Sequence, residues 1–495
     1  MRMPTPDQEA IARKDELVAG LRTILSGGGV VADETRLKVF ESDALTAYRT
    51  VPLAVALPQT RDEVAEILRL CDRLAIKVVP RGAGTGLSGG ALPLADGLVL
   101  GLTRLNRILD IDYDNRTVTV EPGVTNLAIS QAVEGEGFYY APDPSSQIAC
   151  TIGGNVAENS GGVHCLKYGL TTNNVLGVEV VLMNGETVRL GGKHLDAEAY
   201  DLLGLVTGSE GLLGIVTEVT VRILKKPQTV RAALIAFGTV EDAAQCVSAI
   251  IAAGIIPAGL EMMDHGVINA SEDYCAPGYP RDAAALINAE LDGEAGEVDA
   301  LLKRIEVIAR RCGATSIRLS EGEAERLAFW AGRKAAFPAV NRLAPDYLCM
   351  DGTIPRGALA KVLTRMNELS LRHGLKVVNV FHAGDGNLHP LILYDANIEG
   401  QTERAEALGA DILRLCVEVG GVLTGEHGVG VEKRDLMGAM FDEDDLKQQQ
   451  RVKCAFDPAQ RLNPGKVFPT LHACVELGKV HVHRGALPFA HLPRF

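Results

Sequence analysis

Two histidines, His382 and His389, bracket a Gly-Asp-Gly-Asn turn in the stretch Asn379 to Pro390. About 40 residues later Glu426 and His427 stand side by side between Gly425 and Gly428. Imidazole and carboxylate suit Zn²⁺, Mn²⁺ or Fe²⁺ alike, so two histidines and a glutamate on loops form a candidate divalent-metal site without choosing the metal. The remaining histidine is a candidate general base, because an imidazole titrates near working pH. The alternative is a turn with polar residues at a core edge. Two histidines grouped with a Glu-His pair, around glycine-rich turns, favour chemistry.

These side chains need elements to aim them. Gly384, Asp385, Gly386 and Asn387 oppose helix, so a strand, a tight turn and a second strand should carry the two imidazoles back toward each other. Asp385 then reads as a turn former rather than a ligand. In an extended segment Glu426 and His427 would point to opposite sides, one toward a metal and the other toward a substrate. A helix over 401–419 precedes that loop, and a helix over 321–336 carries Trp330 and Arg333. Strands over 347–354 and 377–381 enclose a helix over 356–373. Before them, strand, helix and strand at 230–237, 240–253 and 257–262 repeat at 283–291, 298–311 and 315–319. A sheet built from such units, with helices on one face, is ferredoxin-like α+β.

At 495 residues the chain can hold two or three domains. Its net charge of −14, without a Lys/Arg-dense stripe, argues against nucleic acid or anionic membrane as the main partner. The longest uncharged run, Ala243 to Leu260, is interrupted by Gln245, Gly254 and Pro257. It reads as a buried helix and strand, since a membrane span needs about 20 apolar residues. The N-terminus has no apolar core and does not read as a secretory signal, which points to the cytoplasm. Ten cysteines without a CxxC pair read as reduced thiols and offer no cluster-binding motif. An iron–sulfur centre taking electrons from this chain would belong to another polypeptide.

The first half is organised by glycine-rich loops. A helix over 7–26 opens it, and Thr60 to Glu63 is a capping box for a helix over 61–73 with Val64, Ile67, Leu68 and Cys71 on one face. A strand over 77–80 then enters Pro80, Arg81, Gly82, Ala83, Gly84, Thr85, Gly86 and Leu87. Gly84 to Gly89 matches GxGxxG, but Gly90, Pro93 and Gly97 follow where the dinucleotide fingerprint requires a helix, so that reading fails. What remains is a nest of backbone N–H groups, with Arg81 and Thr85, suited to a pyrophosphate. Strands over 97–102, 108–112 and 117–121 and a helix over 126–136 lead to a second loop set, 142–146 and 151–169. A hairpin at 175–190 turning at Asn184-Gly185, then 201–206, Gly208 to Gly214 and a strand over 215–224 complete the half.

Three motifs in this order are Pro-x-Gly-x-Gly-Thr-Gly, Ile-Gly-Gly-Asn with Asn-x-Gly-Gly, and Gly-Ser-Glu-Gly-x-x-Gly-Ile-Val. Together they resemble the FAD-binding domain of the vanillyl-alcohol oxidase/p-cresol methylhydroxylase superfamily. The resemblance implies two α+β subdomains around an extended FAD, with the first loop on the pyrophosphate. It implies FAD contacts from residues 80–87, from Pro144, Ser145, Ser146, Thr151, Gly153, Gly154, Asn155, Asn159, Gly161, Gly162, Tyr168 and Gly169, and from Glu210, Gly214, Ile215, Val216, Asn387 and Asn463. The second half, with His382-x-Gly-Asp-Gly-Asn-x-His389, Glu426-His-Gly and Asn463-Pro-Gly-Lys, resembles the cap of the FAD-linked 2-hydroxyacid oxidoreductases, the D-lactate dehydrogenase and glycolate oxidase group. Ala141 to Cys150, Phe329 to Pro338 and the tail Leu471-His-x-Cys with His481-Val-His483 strengthen that resemblance.

The implied architecture is an N-terminal helical segment (1–48), an FAD-binding domain (49–227), a cap (228–425) and a C-terminal segment (426–495) returning to the flavin. The implied activity is oxidation of a small 2-hydroxy acid, glycolate or D-lactate. Glu426 joins His382 and His389 as metal ligand, His427 removes the hydroxyl proton, and Arg333 binds the substrate carboxylate. Cys349 stands where dicarboxylate-oxidising relatives carry lysine, which favours a monocarboxylate. Implied partners are a second flavin subunit and an iron–sulfur subunit, through which the chain could meet a membrane. An assembly or electron-relay subunit inactive alone is the competing reading, and a flavin-free metallohydrolase a third.

Overall fold

The computed structural model describes residues 3–195 and 199–469; the tail motif from Leu471 to His483 lies outside them. The expected helix over 7–26 is two, α1 (Gln8–Ala12) and α2 (Lys14–Ile24), separated at Arg13. The first sheet orders β1 (Val30–Val31), β2 (Ala54–Ala56), β4 (Gly97–Gly101) and β3 (Lys77–Arg81), so the first 48 residues contribute a strand as well as helices. Between β2 and β3, α3 (Arg61–Arg73) starts at the expected capping box: Thr60 Oγ1 accepts from the Glu63 N–H, and Glu63 Oε2 from the Thr60 N–H. Val64, Ile67, Leu68 and Cys71 are buried, each apolar side chain contributing about 1.5–3 kcal/mol. No helix follows the glycine loop after β3, as the failed dinucleotide fingerprint requires.

The second sheet orders β5 (Ile108–Asp112), β6 (Thr117–Val120), β9 (Ile215–Arg222), β7 (Val175–Val181) and β8 (Thr187–Gly191), all antiparallel. Helices α4 (Asn126–Val133) and α5 (Ile152–Glu158) belong to this unit. The second is a correction, because 151–162 read as loop. Ile152 and Val156 fill the core beneath it, and that burial outweighs the poor helix propensity of Gly153 and Gly154.

The third sheet begins with β10 (Thr229–Phe237), α6 (Val240–Ala252), β11 (Gly259–Asp264), α7 (His265–Cys275), β12 (Ala285–Gly293), α8 (Ala295–Arg311) and β13 (Ala314–Leu319). It continues with α9 (Glu323–Lys334), α10 (Ala336–Val340), β14 (Asp346–Cys349), α11 (Leu359–His373), β15 (Val377–Phe381), β16 (Pro390–Tyr394) and α12 (Gln401–Glu418). Its order is β13-β10-β12-β11-β15-β16-β14. The first four strands keep the ferredoxin-like arrangement, and the last three extend it. Helices cover both faces, not one. Ala233, Ile235 and Phe237 join the core under α6, α8, α11 and α12, whereas Ala232, Leu234 and Ala236 pack with α7, α9 and α10. The chain then returns to the first unit: Leu462 bridges Val78, and the Asn463 N–H donates to the Val78 carbonyl. Among the described residues no helix is long and apolar enough to cross a membrane. Among the described residues eight cysteines are free thiols, but Cys454 is disulfide-bonded, which the all-reduced expectation did not include.

Candidate active site

β15 and β16 enclose a tight turn, as the glycine-rich spacing demands. The His382 N–H donates to the Asn387 carbonyl at 3.1 Å, and Asp385 Oδ1 accepts the Asn387 N–H at 3.0 Å. Asp385 is therefore a turn former. Gly386 has φ +85°, and a Cβ there would sit 2.2 Å from the Ile354 carbonyl oxygen, so only glycine fits. The turn brings the His382 and His389 rings to 5.1 Å, edge to face. Glu426 Oε1 lies 3.3 Å from His382 Nε2 and 3.0 Å from His389 Nε2. Donor atoms of all three lie within 4.8 Å of one another.

Two nitrogens converging on one carboxylate oxygen is an arrangement a cation would satisfy. Behind it, Glu261 Oε1 lies 2.7 Å from His382 Nδ1, which fixes the ring as Nδ1 donor and leaves Nε2 for ligation. Burial alone would lower the His382 pKa, yet Glu261 and Glu426 hold it well above the ordinary value. Burial would likewise raise Glu426, and the two imidazoles hold it well below.

His427 stacks on His389 at 5.0 Å with ring planes 8° apart. Burial pushes its pKa down to about 4, against the opposing pull of Asp351, so the ring is neutral near pH 7. The loop carrying it hangs on the fully buried Asp351. That carboxylate accepts the N–H groups of Gly425, Glu426 and His427 at 2.9–3.3 Å, the Thr424 hydroxyl at 2.6 Å and Lys433 Nζ at 3.4 Å. Gly161 abuts this site as well: a Cβ there would come within 2.4 Å of Glu426 Oε2.

Arg333, from α9, is buried with Nε donating to Glu261 Oε2 at 2.7 Å. Its Nη2 is buried without a hydrogen-bond partner. Glu261 thus ties the expected carboxylate-binding arginine to the expected metal ligand.

In front lies a cleft of about 430 Å³ whose walls come from both halves. Residues 80–87, Pro144 to Ser146, Thr151, Gly153 to Asn155, Glu210, Gly214 to Val216 and Asn463, all named above as candidate FAD contacts, line it together with His389, Glu426 and His427. Gly86 has open space where a Cβ would stand, and a Cβ on Gly82 would meet Thr151 Oγ1 at 2.3 Å. The Thr151 hydroxyl itself is buried without a partner. A close-approach glycine loop and an orphaned hydroxyl fit an extended phosphate- and hydroxyl-rich ligand such as FAD.

Asn159, Gly162, Gly169, Tyr168 and Asn387 do not line the cleft, whereas Arg81 and Glu210 line it with their polar ends turned to protein partners. Asn159 accepts from the Thr172 N–H, in a left-handed conformation that ends α5. Gly162, at φ +146°, passes against the Asp143-Pro144 backbone, and Gly169 against Asn173. The Tyr168 hydroxyl donates to Asp292 Oδ2 at 2.5 Å, joining the two halves instead of reaching the cleft. Asn387 packs behind Gly425. Arg81 folds back, Nη1 donating to the Ser42 carbonyl at 2.6 Å. Glu210 gives its carboxylate to the Val429 and Gly430 N–H groups at 2.6 and 2.7 Å. Sequence reasoning missed Glu261 and Asp351, each a lone acid in an apolar strand or its end. It also missed Lys334, Phe337 and Tyr347 on the cap side of the cleft.

Residues 52–191 match the FAD binding domain family, and residues 226–467 match the family described as FAD linked oxidases, C-terminal domain. The glycolate oxidase subunit GlcD of Escherichia coli K12 is 55% identical over 482 residues, 97% of each chain. The D-lactate dehydrogenase of Anaerostipes hadrus is 32% identical over 91% of this chain and 97% of its own. The crystal structure of p-cresol methylhydroxylase superimposes with a TM-score of 0.78 at 19% identity, over 92% of this chain and 97% of that one, and so shares the fold. With the glycine-rich loops of the first half on one side of the cleft and His389, Glu426 and His427 on the other, the chain belongs to the FAD-linked oxidases.

Proposed function

We propose that this protein oxidises a small 2-hydroxy acid, glycolate first and D-lactate next, to the 2-oxo acid. The observation that carries the reading is the placing of neutral His427 on the wall of the cleft beside His389 and Glu426, with His382 behind them completing the donor set. Relatives named as a glycolate oxidase subunit and a D-lactate dehydrogenase support it.

The loops at 80–87, 144–146, 151–155 and 214–216 would hold FAD, which when bound supplies the hydride acceptor. His382, His389 and Glu426 would hold a divalent ion, whose Lewis acidity lowers the pKa of a hydroxyl brought to it. His427 takes the hydroxyl proton on a ring nitrogen as the α-hydrogen leaves with its electron pair. Arg333 offers Nη2 to the substrate carboxylate while Glu261 holds its Nε, so that one residue orients both the guanidinium and the His382 ring. Cys349 brings a small neutral group where a dicarboxylate would need a second cation, which favours a monocarboxylate. Electrons then pass to partner subunits, and any membrane association comes through them.

Dye-coupled turnover of the isolated, flavin-loaded chain over a panel of 2-hydroxy acids tests the reading. Turnover with glycolate or D-lactate is expected. Flavin-loaded protein inactive toward the whole panel would contradict it and favour an assembly role.

A further inference from the structure

β14 ends by bringing a thiol to the imidazole rings already described. One donor atom each from Cys349, His389 and His427 lies within 4.8 Å of the other two. Cys349 is 5% exposed and His389 is 2% exposed. This set shares only His389 with the His382, His389 and Glu426 triad. His389 has a nitrogen for each: Nε2 faces Glu426 at 3.0 Å, whereas Nδ1 is buried without a hydrogen-bond partner, with Asp351 Oδ1 too distant at 4.0 Å. His427 Nδ1 is buried and unpartnered too. A buried polar atom without a partner is unfavourable, and a bound cation would supply the partner.

We propose that Cys349, His389 and His427 form a second cation site, selective for a thiophilic ion such as Zn²⁺, whose occupation withdraws His427 from the substrate and switches the enzyme off. Two imidazoles and a thiolate are a complete three-ligand set for zinc, and His389 and His427 line the cleft. Sulfur is what separates the two sites. The nitrogen and oxygen donors of the first triad accept Mn²⁺ or Fe²⁺ as readily as zinc, and a thiolate disfavours the harder ions. On binding, the Sγ–H proton and, because the first ion already holds Nε2, the remaining Nδ1–H proton of His389 leave to solvent as the zinc–sulfur and zinc–nitrogen bonds form, without any change of oxidation state. The loss of activity rests on the proposed role of His427; the binding does not.

The test uses full-length, FAD-loaded protein saturated with Mn²⁺, to which Zn²⁺ is added. Total divalent ions per chain are counted by elemental analysis after desalting, and dye-coupled turnover is followed in the same samples. Wild-type protein should hold one more ion per chain than Cys349→Ser, and the variant should need about tenfold or more zinc for the same inhibition, as for loss of a ligand. Equal ion counts in the two proteins would overturn the proposal while leaving the catalytic reading intact. An extra, Cys349-dependent ion in protein that turns over unimpeded would overturn the switch and count against His427 as base. Should the serine variant fold poorly, ¹¹³Cd NMR of the wild type reads the ligands directly. A resonance in the thiolate range supports the site, and resonances only in the nitrogen and oxygen range contradict it.

Discussion

Glu261 Oε1 lies 2.7 Å from His382 Nδ1, and the same carboxylate holds Arg333 Nε through Oε2 at 2.7 Å. One fully enclosed acid thus sets the orientation of the ring proposed as a metal ligand and the position of the guanidinium proposed to bind the substrate carboxylate. Glu261→Gln keeps the shape and loses the charge. It should weaken metal retention by about 10–100-fold, with activity partly restored by excess metal. Metal titration against turnover checks this, and a variant with unchanged metal affinity would remove Glu261 from the account.

Asp351 fixes the loop that carries Glu426 and His427. Asp351→Ala leaves several buried donors without an acceptor and should lower stability by about 3–5 kcal/mol. Asp351→Asn, which keeps one acceptor, should lower it less. Denaturant unfolding of flavin-loaded proteins measures both, and a loss below about 1 kcal/mol for the alanine variant would contradict the anchoring role.

How much of this was legible in the sequence follows from range. The meeting of His382 and His389 could be read because Gly384 to Asn387 admits little but a hairpin, and eight residues carry the whole geometry. The glycine loop at 82–90 could be read because the residues after it rule out a helix. Glu261 and Asp351 could not be placed, since their partners lie more than 70 residues away and depend on how β11, β15 and the Glu426 loop stack. Their only local sign was an isolated acid in Gly-Leu-Glu-Met-Met and Leu-Cys-Met-Asp-Gly. Helix α5 was hidden by its glycines. Helices on both faces of the third sheet were foreshadowed in Ala232 to Phe237, an apolar run without alternation.

Lys433 lies between two buried acids, Asp351 and Glu432, at 3.4 and 3.3 Å. Asp351 has several other donors and is held down to about 2, in spite of burial, by His427 and Lys433. Glu432 oxygens have no hydrogen-bond partner, and burial pushes that carboxyl up to about 7. The folded chain therefore binds more protons than the unfolded chain between about pH 4.5 and 7, so this group's contribution to stability falls as pH rises through that window. Glu432→Gln should gain stability relative to wild type at pH 8, by about 3 kcal/mol at most, with the gain vanishing near pH 4.5. Thermal unfolding of both proteins across pH 4.5–8 checks it, and a pH-independent difference would contradict it.

Arg333 presents Nη2 without a partner. Arg333→Lys should raise KM for the 2-hydroxy acid by about 10–100-fold, the worth of a charge-assisted hydrogen bond of about 1.5–3 kcal/mol. The flavin content should not change. Equal KM values would leave Arg333 as a structural partner of Glu261.

In the proposed reaction His427 removes a proton from a 2-hydroxy acid whose hydride leaves to flavin. Anaerobic mixing of the flavin-loaded protein with glycolate or D-lactate, followed at the oxidised flavin absorbance, tests it most directly. Rapid bleaching is expected in the wild type, and bleaching slowed by about 10²–10⁴-fold in His427→Asn with flavin still bound. Flavin that no 2-hydroxy acid reduces, or equal rates in the two proteins, would contradict it.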